Sequence, residues 1–202
     1  MNPSETLRLF LAIPLPDDAR TELRRLQSKL QSILPSRAVR WTRPEQFHLT
    51  LKFLGDVPAT ATDELIRSAR TVCEAALPMR LRAEGTGFFP DIRSPRVFWV
   101  NIKSLDGRLL EFQRQLDLAV QPFAKKEDAK KFTAHVTLAR LEKMRSRETE
   151  KLIAAFAAGK IFGEWTVTEA HLIKSLLQPS GALHIIVDTF KTKNPLGCET
   201  FL

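Results

Sequence analysis

Two segments of the chain place a hydroxyl two residues after a group that titrates near neutrality. They are Phe47-His48-Leu49-Thr50-Leu51-Lys52-Phe53-Leu54-Gly55 and Ala134-His135-Val136-Thr137-Leu138-Ala139-Arg140. A neutral imidazole takes a proton and a charged one gives a proton, so two in one site could act as base and acid in a single turnover. Two hydroxyls beside them could hold the non-bridging oxygens of a tetrahedral anion. This combination suits phosphoryl chemistry without a metal. The sequence carries no H-E-x-x-H, no Gly-rich phosphate loop and no clustered carboxylates for Mg²⁺. Glu45, Asp56, Asp128 and Glu142 are scattered and read as solvated. His171 and His184 have no threonine two places on and read as packing or surface residues.

Strands must present these groups. Both segments are rich in β-branched and aromatic residues, and Gly55 reads as the end of the first. Positions i and i+2 of a strand share a face. His48, Thr50 and Lys52 therefore project together while Leu49, Leu51 and Phe53 face the core. His135 and Thr137 project together while Val136 and Leu138 turn inward. Arg140, three places past Thr137, reaches the same face only through a twist or bulge.

The surrounding pattern predicts a strand over 7–15 and a helix from Asp17-Asp18 through Leu23, Leu26, Leu30, Ile33 and Leu34 to Pro35. A loop with Arg37, Arg40, Trp41, Arg43 and Pro44 follows, then a helix over 63–77 and a strand over 81–89. From Arg96 the order restarts: strand 96–103, helix 106–120, basic loop 125–131, the second His strand, helix 147–158 and strand 165–175. A last strand, 183–190, follows the turn at Pro179-Ser180-Gly181. His48 and His135, Phe10 and Phe98, and Asp18 and Asp106 are each separated by 87 or 88 positions. Such spacing predicts an internal duplication with halves 7–90 and 95–178. No linker divides them, so 1–202 reads as a single bilobal domain. A rough two-fold would bring the two His-x-Thr strands face to face across a cleft.

Composition fits a soluble protein of 202 residues, 44% apolar and 27% charged. The apolar run 9–15 is too short to span a bilayer and leads into Pro16-Asp17-Asp18, so neither a membrane span nor a signal peptide is expected. Cys73 and Cys198 sit in no metal or redox spacing, which points to a reduced, cytoplasmic protein. The net charge of +8 favours an anionic partner such as nucleic acid.

The strings R-L-F-L-A-I-P-L, Trp41 followed by F-H-L-T-L-K-F-L-G, G-F-F-P, P-R-V-F-W-V, F-T-A-H-V-T-L-A-R and S-L-L-Q-P-S-G span almost the whole chain. Together they resemble the 2H phosphoesterase superfamily, and within it the RNA 2′,3′-cyclic phosphodiesterases also called 2′-5′ RNA ligases. The resemblance implies a bilobal α+β fold: two antiparallel sheets related by a pseudo-two-fold, helices outside, a central cleft and no cofactor. It implies hydrolysis of a terminal 2′,3′-cyclic phosphate to a 2′-phosphomonoester, with reversible 2′-5′ ligation as a minor activity. His48 would be the proton donor to the 3′-oxygen, His135 the proton acceptor from water, and Thr50 and Thr137 the phosphate ligands. From the residues alone, acid and base stay interchangeable. Lys52 would add charge, Phe47, Phe132 and Trp41 are candidates to stack a terminal base, and Arg140 is a further phosphate candidate. The partner implied is an RNA or nucleotide end bearing a cyclic phosphate, met by a monomer with no obligatory protein partner. Ala134 stands where the family usually has Pro, and His184 where it often has Tyr. The competing reading is an RNA- or nucleotide-binding module that uses the cleft without turnover.

Overall fold

A computed structural model describes residues 5–32, 34, 39–125, 131–142, 159–178 and 181–192. The expected helix over 147–158, most of the basic loop, Pro179 and Ser180, and Ile33, Arg37, Asp128 and Cys198 lie outside the described residues. Nine strands are found among the described residues: β1 Thr6–Pro14, β2 Val39–Trp41, β3 His48–Pro58, β4 Met79–Phe89, β5 Val97–Ser104, β6 His135–Leu141, β7 Ile161–Val167, β8 Glu169–Gln178 and β9 Gly181–Lys191. They form two antiparallel sheets, in the orders β3-β1-β8-β9 and β2-β6-β5-β4-β7. The fold is α+β. Among the described residues no helix is long and apolar enough to cross a membrane.

Among the described residues three α-helices form where apolar residues recur at helical spacing. Helix α1, Asp17–Gln31, has acidic residues in its first turn and buries Ala19, Leu23, Leu26 and Leu30. Helix α2, Thr62–Ala76, buries Leu65, Ala69 and Cys73. Helix α3, Leu109–Val120, begins three residues later than expected. Asp106 is occupied in the preceding turn, where it accepts the Ser104 hydroxyl at 2.8 Å and the Arg80 N–H at 3.0 Å. Helices α2 and α3 pack together behind the first sheet, and α1 packs against β7 of the second. One buried cluster joins them, running from Leu11 and Ile13 through Leu49 and Leu51 to Phe98, Val136 and Leu138.

Two elements depart from the expected order. The stretch read as one strand over 165–175 breaks at Thr168, leaving β7 in the second sheet and β8 in the first. Each sheet therefore takes its third strand from the other expected half: β8 pairs with β1, and β4 pairs with β5. The loop around Trp41 forms the short strand β2, which pairs with β6 along Val39, Arg40 and Trp41.

The departure with the largest consequence is a bulge at the same place in both His strands. In β3, Thr50 pairs with Ala12, Lys52 with Leu11 and Phe53 with Phe10, leaving Leu51 as the extra residue. In β6, Thr137 pairs with Trp99, Ala139 with Phe98 and Arg140 with Val97, leaving Leu138 extra. An extra residue inverts the alternation that follows it. Helix glutamines catch the freed carbonyls: Gln113 donates to Leu51 O at 3.3 Å and Gln27 to Leu138 O at 2.9 Å. Gly55 does not end β3. With φ +77 it occupies the left-handed region beside a second shift, and the strand runs on to Pro58.

Candidate active site

His48 and His135 each open their strand, and each ring is oriented by the carbonyl two residues earlier. His48 Nδ1 lies 2.7 Å from Gln46 O, and His135 Nδ1 lies 2.7 Å from Thr133 O. A carbonyl only accepts, so Nδ1 carries the proton in both rings and Nε2 is the nitrogen left for chemistry. Gln46 has a second tie, since its side-chain amide donates to Ala182 O on β9. The loop that aims His48 is thereby fastened to the β8–β9 hairpin.

Each imidazole rests on aromatic rings. His48 lies against Phe10, with centroids 5.0 Å apart, and meets His184 edge-on at 5.5 Å. His135 meets Phe89 edge-on at 4.9 Å and lies 5.9 Å from Trp99. Phe89 and Trp99 are themselves in contact at 5.0 Å. The indole has room because Gly87 is its ladder partner: a Cβ at that position would stand 2.3 Å from the Trp99 ring. Gly87→Ala is expected to lower stability by about 1–3 kcal/mol through overpacking. Turnover should fall with it, because the floor of His135 is displaced. A thermal melt and an initial-rate assay on the same preparation check this.

Strands β3 and β6 lie against each other without sharing a ladder, and charge at His135 is felt by the His48 ring. Burial holds the His48 ring down to about 4, opposed by the Gln46 carbonyl, with charge at His184 and His135 lowering it further. Burial also holds His135 below its ordinary value, against the Thr133 carbonyl, and does the same to His184. Thr50 and Thr137 are half-buried and share the face of their histidines.

Several expected site residues are placed differently. Past the bulge Lys52 turns to the helix side, where its ammonium pairs with Asp117 of α3 at 2.6 Å, so it does not share the face of Thr50. Phe53, expected in the core, is 59% exposed and lies on the His48 face against Phe10, at 5.7 Å. Arg140 comes round to the face of Thr137 by the corresponding inversion and is exposed. Phe47 is buried in the main core, and Trp41 and Phe132 pack half-buried against it, so the rings beside the histidines are other ones. His184, read as a packing residue, belongs beside His48. His171 is buried with Nε2 3.1 Å from Glu169, as a structural residue would be. Phe10, Phe89, Trp99 and Gln46 were not singled out from the sequence. Period-two alternation with the two His strands would have flagged Phe10 and Trp99, but only once the ladder register was known. Among the described residues no three His, Cys, Asp or Glu side chains gather to hold a metal ion.

The sequence profile of the LigT-like phosphoesterases matches residues 13–99 and 102–184. A Thermus thermophilus relative named RNA 2′,3′-cyclic phosphodiesterase is 30% identical over 200 residues, covering 96% of this chain and 94% of that protein. An Archaeoglobus fulgidus relative of the same name is 30% identical over 179 residues, covering 88% and 96%. A crystal structure of a Thermus thermophilus protein superposes with a TM-score of 0.76 at 28% identity, over 94% of this chain and 100% of the other.

Proposed function

Because this chain belongs to the LigT-like phosphoesterase family, we propose that it hydrolyses terminal 2′,3′-cyclic phosphates of RNA to 2′-phosphomonoesters by two-histidine acid–base catalysis, with no metal. The observation that carries this reading is the matched pair of imidazoles, each with Nδ1 on a backbone carbonyl at 2.7 Å and Nε2 left for proton transfer.

In the proposed reaction His135 Nε2 takes a proton from water as the water oxygen bonds to phosphorus. The bond from phosphorus to the 3′-oxygen breaks, and His48 Nε2–H gives its proton to that oxygen. The 2′-ester bond stays intact, so the products are a 2′-phosphomonoester and a 3′-hydroxyl. His135 ends charged and His48 neutral, and exchange with solvent resets them. The carbonyls of Thr133 and Gln46 stabilise each imidazolium when it forms. The Thr50 and Thr137 hydroxyls donate to the non-bridging oxygens, where charge grows in the transition state. Arg140, on the face of Thr137, adds charge there, and Lys52 takes no part. The net charge of +8 suits an RNA end. The same groups run in reverse give 2′-5′ ligation, which depends on two RNA ends being held together. In this reading the protein works as a monomer in the cytoplasm.

Incubation with nucleoside 2′,3′-cyclic phosphates and a cyclic-phosphate-terminated oligonucleotide, in EDTA, tests the proposal. The expected product is a 2′-monophosphate at a rate EDTA does not change. A 3′-monophosphate would mean the other ester oxygen leaves. Substrate bound but left intact would mean a binding module. Loss of the rate in EDTA would remove the metal-free scheme.

A further inference from the structure

We infer that Arg40 binds the phosphodiester joining the terminal nucleotide to the rest of an RNA chain, so that the site favours oligonucleotide ends over free nucleotides; the inference rests on the phosphodiesterase reading above. Ladder register puts this residue on the cleft face. Beyond the bulge in β6, Ala139 pairs with Phe98 and Arg140 with Val97. From the other side, Trp41 of β2 pairs with Ala139 and Arg40 with Arg140. Phe98 and Ala139 are buried in the core, and Trp41 packs against it. Residues paired across a ladder point to one side of the sheet. Arg40 therefore lies on the opposite face, with Arg140, Val97 and Thr137. Strand β2 is the outermost of its sheet, so Arg40 stands at the rim, one strand spacing of about 5 Å beyond β6.

This setting suits an anion that crosses the rim. Two arginines directly opposite each other on one face repel, and the pairing costs the sheet stability unless an anion lies between or beside them. The protein answers this in part with Glu142, whose carboxylate lies 2.8 Å from Arg40 Nε. The two side chains are 78% and 53% exposed, so their pair is weak and gives way readily to a ligand. Among the described residues no carboxylate pairs with Arg140. The backbone beneath Arg40 is firmly held by contrast. Val39 and Trp41, its neighbours, turn to the core. The Thr42 N–H donates to Leu138 O at 2.9 Å, and the Gln27 amide donates to both Thr42 O and Leu138 O. The amide that braces the β6 bulge thus braces β2 as well, and Arg40 and Thr137 ride on one frame. An RNA end differs from a free nucleoside cyclic phosphate by a further phosphodiester on the 5′ side of its last ribose. With the cyclic phosphate between Thr50 and Thr137, a guanidinium one strand beyond Arg140 meets that next anion and not the reacting one. Such a contact is charge-assisted and independent of sequence.

The test uses a dinucleotide ending in a 2′,3′-cyclic phosphate, the same dinucleotide with an uncharged methylphosphonate at its internal linkage, and adenosine 2′,3′-cyclic phosphate. Wild type is expected to favour the charged dinucleotide over the methylphosphonate by about fivefold in kcat/KM, mostly through KM. Arg40→Gln should erase most of that preference and cost adenosine 2′,3′-cyclic phosphate about twofold or less. It should also make log kcat/KM for the charged dinucleotide less steep in log salt by about 0.7. Arg40→Lys should keep part of the preference, and Glu142→Gln should raise it by removing a competing carboxylate. A wild type without the preference, a preference that survives in Arg40→Gln, or an equal loss on all three substrates overturns the inference. A wild type that turns over none of them refutes the reaction, not the contact. Equilibrium binding of the 2′-phosphate-ended dinucleotide against its methylphosphonate then decides: tighter binding of the charged form, lost in Arg40→Gln, upholds the contact, and equal affinities overturn it.

Discussion

His48→Ala and His135→Ala are each expected to lower kcat/KM by about 10²–10⁴-fold, the range for removing one general acid or base. The double variant should be little worse than either single one, because the two groups act as a unit within one proton-transfer event. A substrate whose bridging 3′-oxygen is replaced by sulfur separates the roles. Sulfur leaves as a thiolate without a proton, so it should restore His48→Ala and leave His135→Ala impaired. Restoration of His135→Ala instead would exchange the assignments. The pH dependence follows from the ring environments. Burial holds His48 down to about 4 and holds His135 below its ordinary value, so both are neutral in the free protein at pH 7. The productive form carries one proton between two rings. Its population falls about tenfold per pH unit above the upper of the two macroscopic pKa values. That upper value lies below the ordinary imidazole value of 6.5, so kcat/KM should peak on the acid side and decline through neutrality. A bound phosphate anion favours both charged rings, so the kcat profile should lie at higher pH. An optimum of kcat/KM at alkaline pH would contradict the depressed imidazoles.

What could be read beforehand was what obeys a short-range rule. The i, i+2 face placed His48 with Thr50 and His135 with Thr137, and helical spacing found α1 and α2. The rule failed two residues beyond each threonine. Strict alternation sent Lys52 to the cleft and Phe53 to the core, and the bulge at Leu51 reverses both. Nothing local to H-L-T-L-K-F announces a bulge. It is held from a distance by Gln113, 62 positions away, just as Gln27 holds Leu138 from 111 positions away. The exchange of third strands between the sheets has the same origin. Which sheet receives β8 depends on its pairing with β1, a contact between opposite ends of the chain. The place of His184 beside His48 is illegible for a related reason: no spacing in the sequence connects the two, and only the β1–β8–β9 ladder carries it there.

Thr50→Val and Thr137→Val are expected to lower kcat by about 10²–10³-fold each, as loss of one pre-aligned donor to a developing anion does. Valine keeps the shape and the strand preference of threonine, so the ladder positions opposite Ala12 and Trp99 remain filled. Both threonines are half-buried, so the exchange strands no deeply buried partner and should move the melting temperature little. The kinetic loss should fall on kcat more than on KM. Negative charge on the non-bridging oxygens is greater in the pentacoordinate transition state than in the bound diester, and the hydroxyls contribute in proportion to that charge. The bulge sharpens the contrast, since it fixes each threonine's strand immediately beyond it through a glutamine amide on a helix. A donor so held needs no reorganisation as charge develops, which is the condition under which a single hydrogen bond is worth this much. Initial rates over a range of substrate concentrations read kcat and KM separately for each variant. Wild-type kcat in Thr50→Val or Thr137→Val would remove that threonine from the phosphate, and a rise in KM alone would make its contact one of binding and not of catalysis.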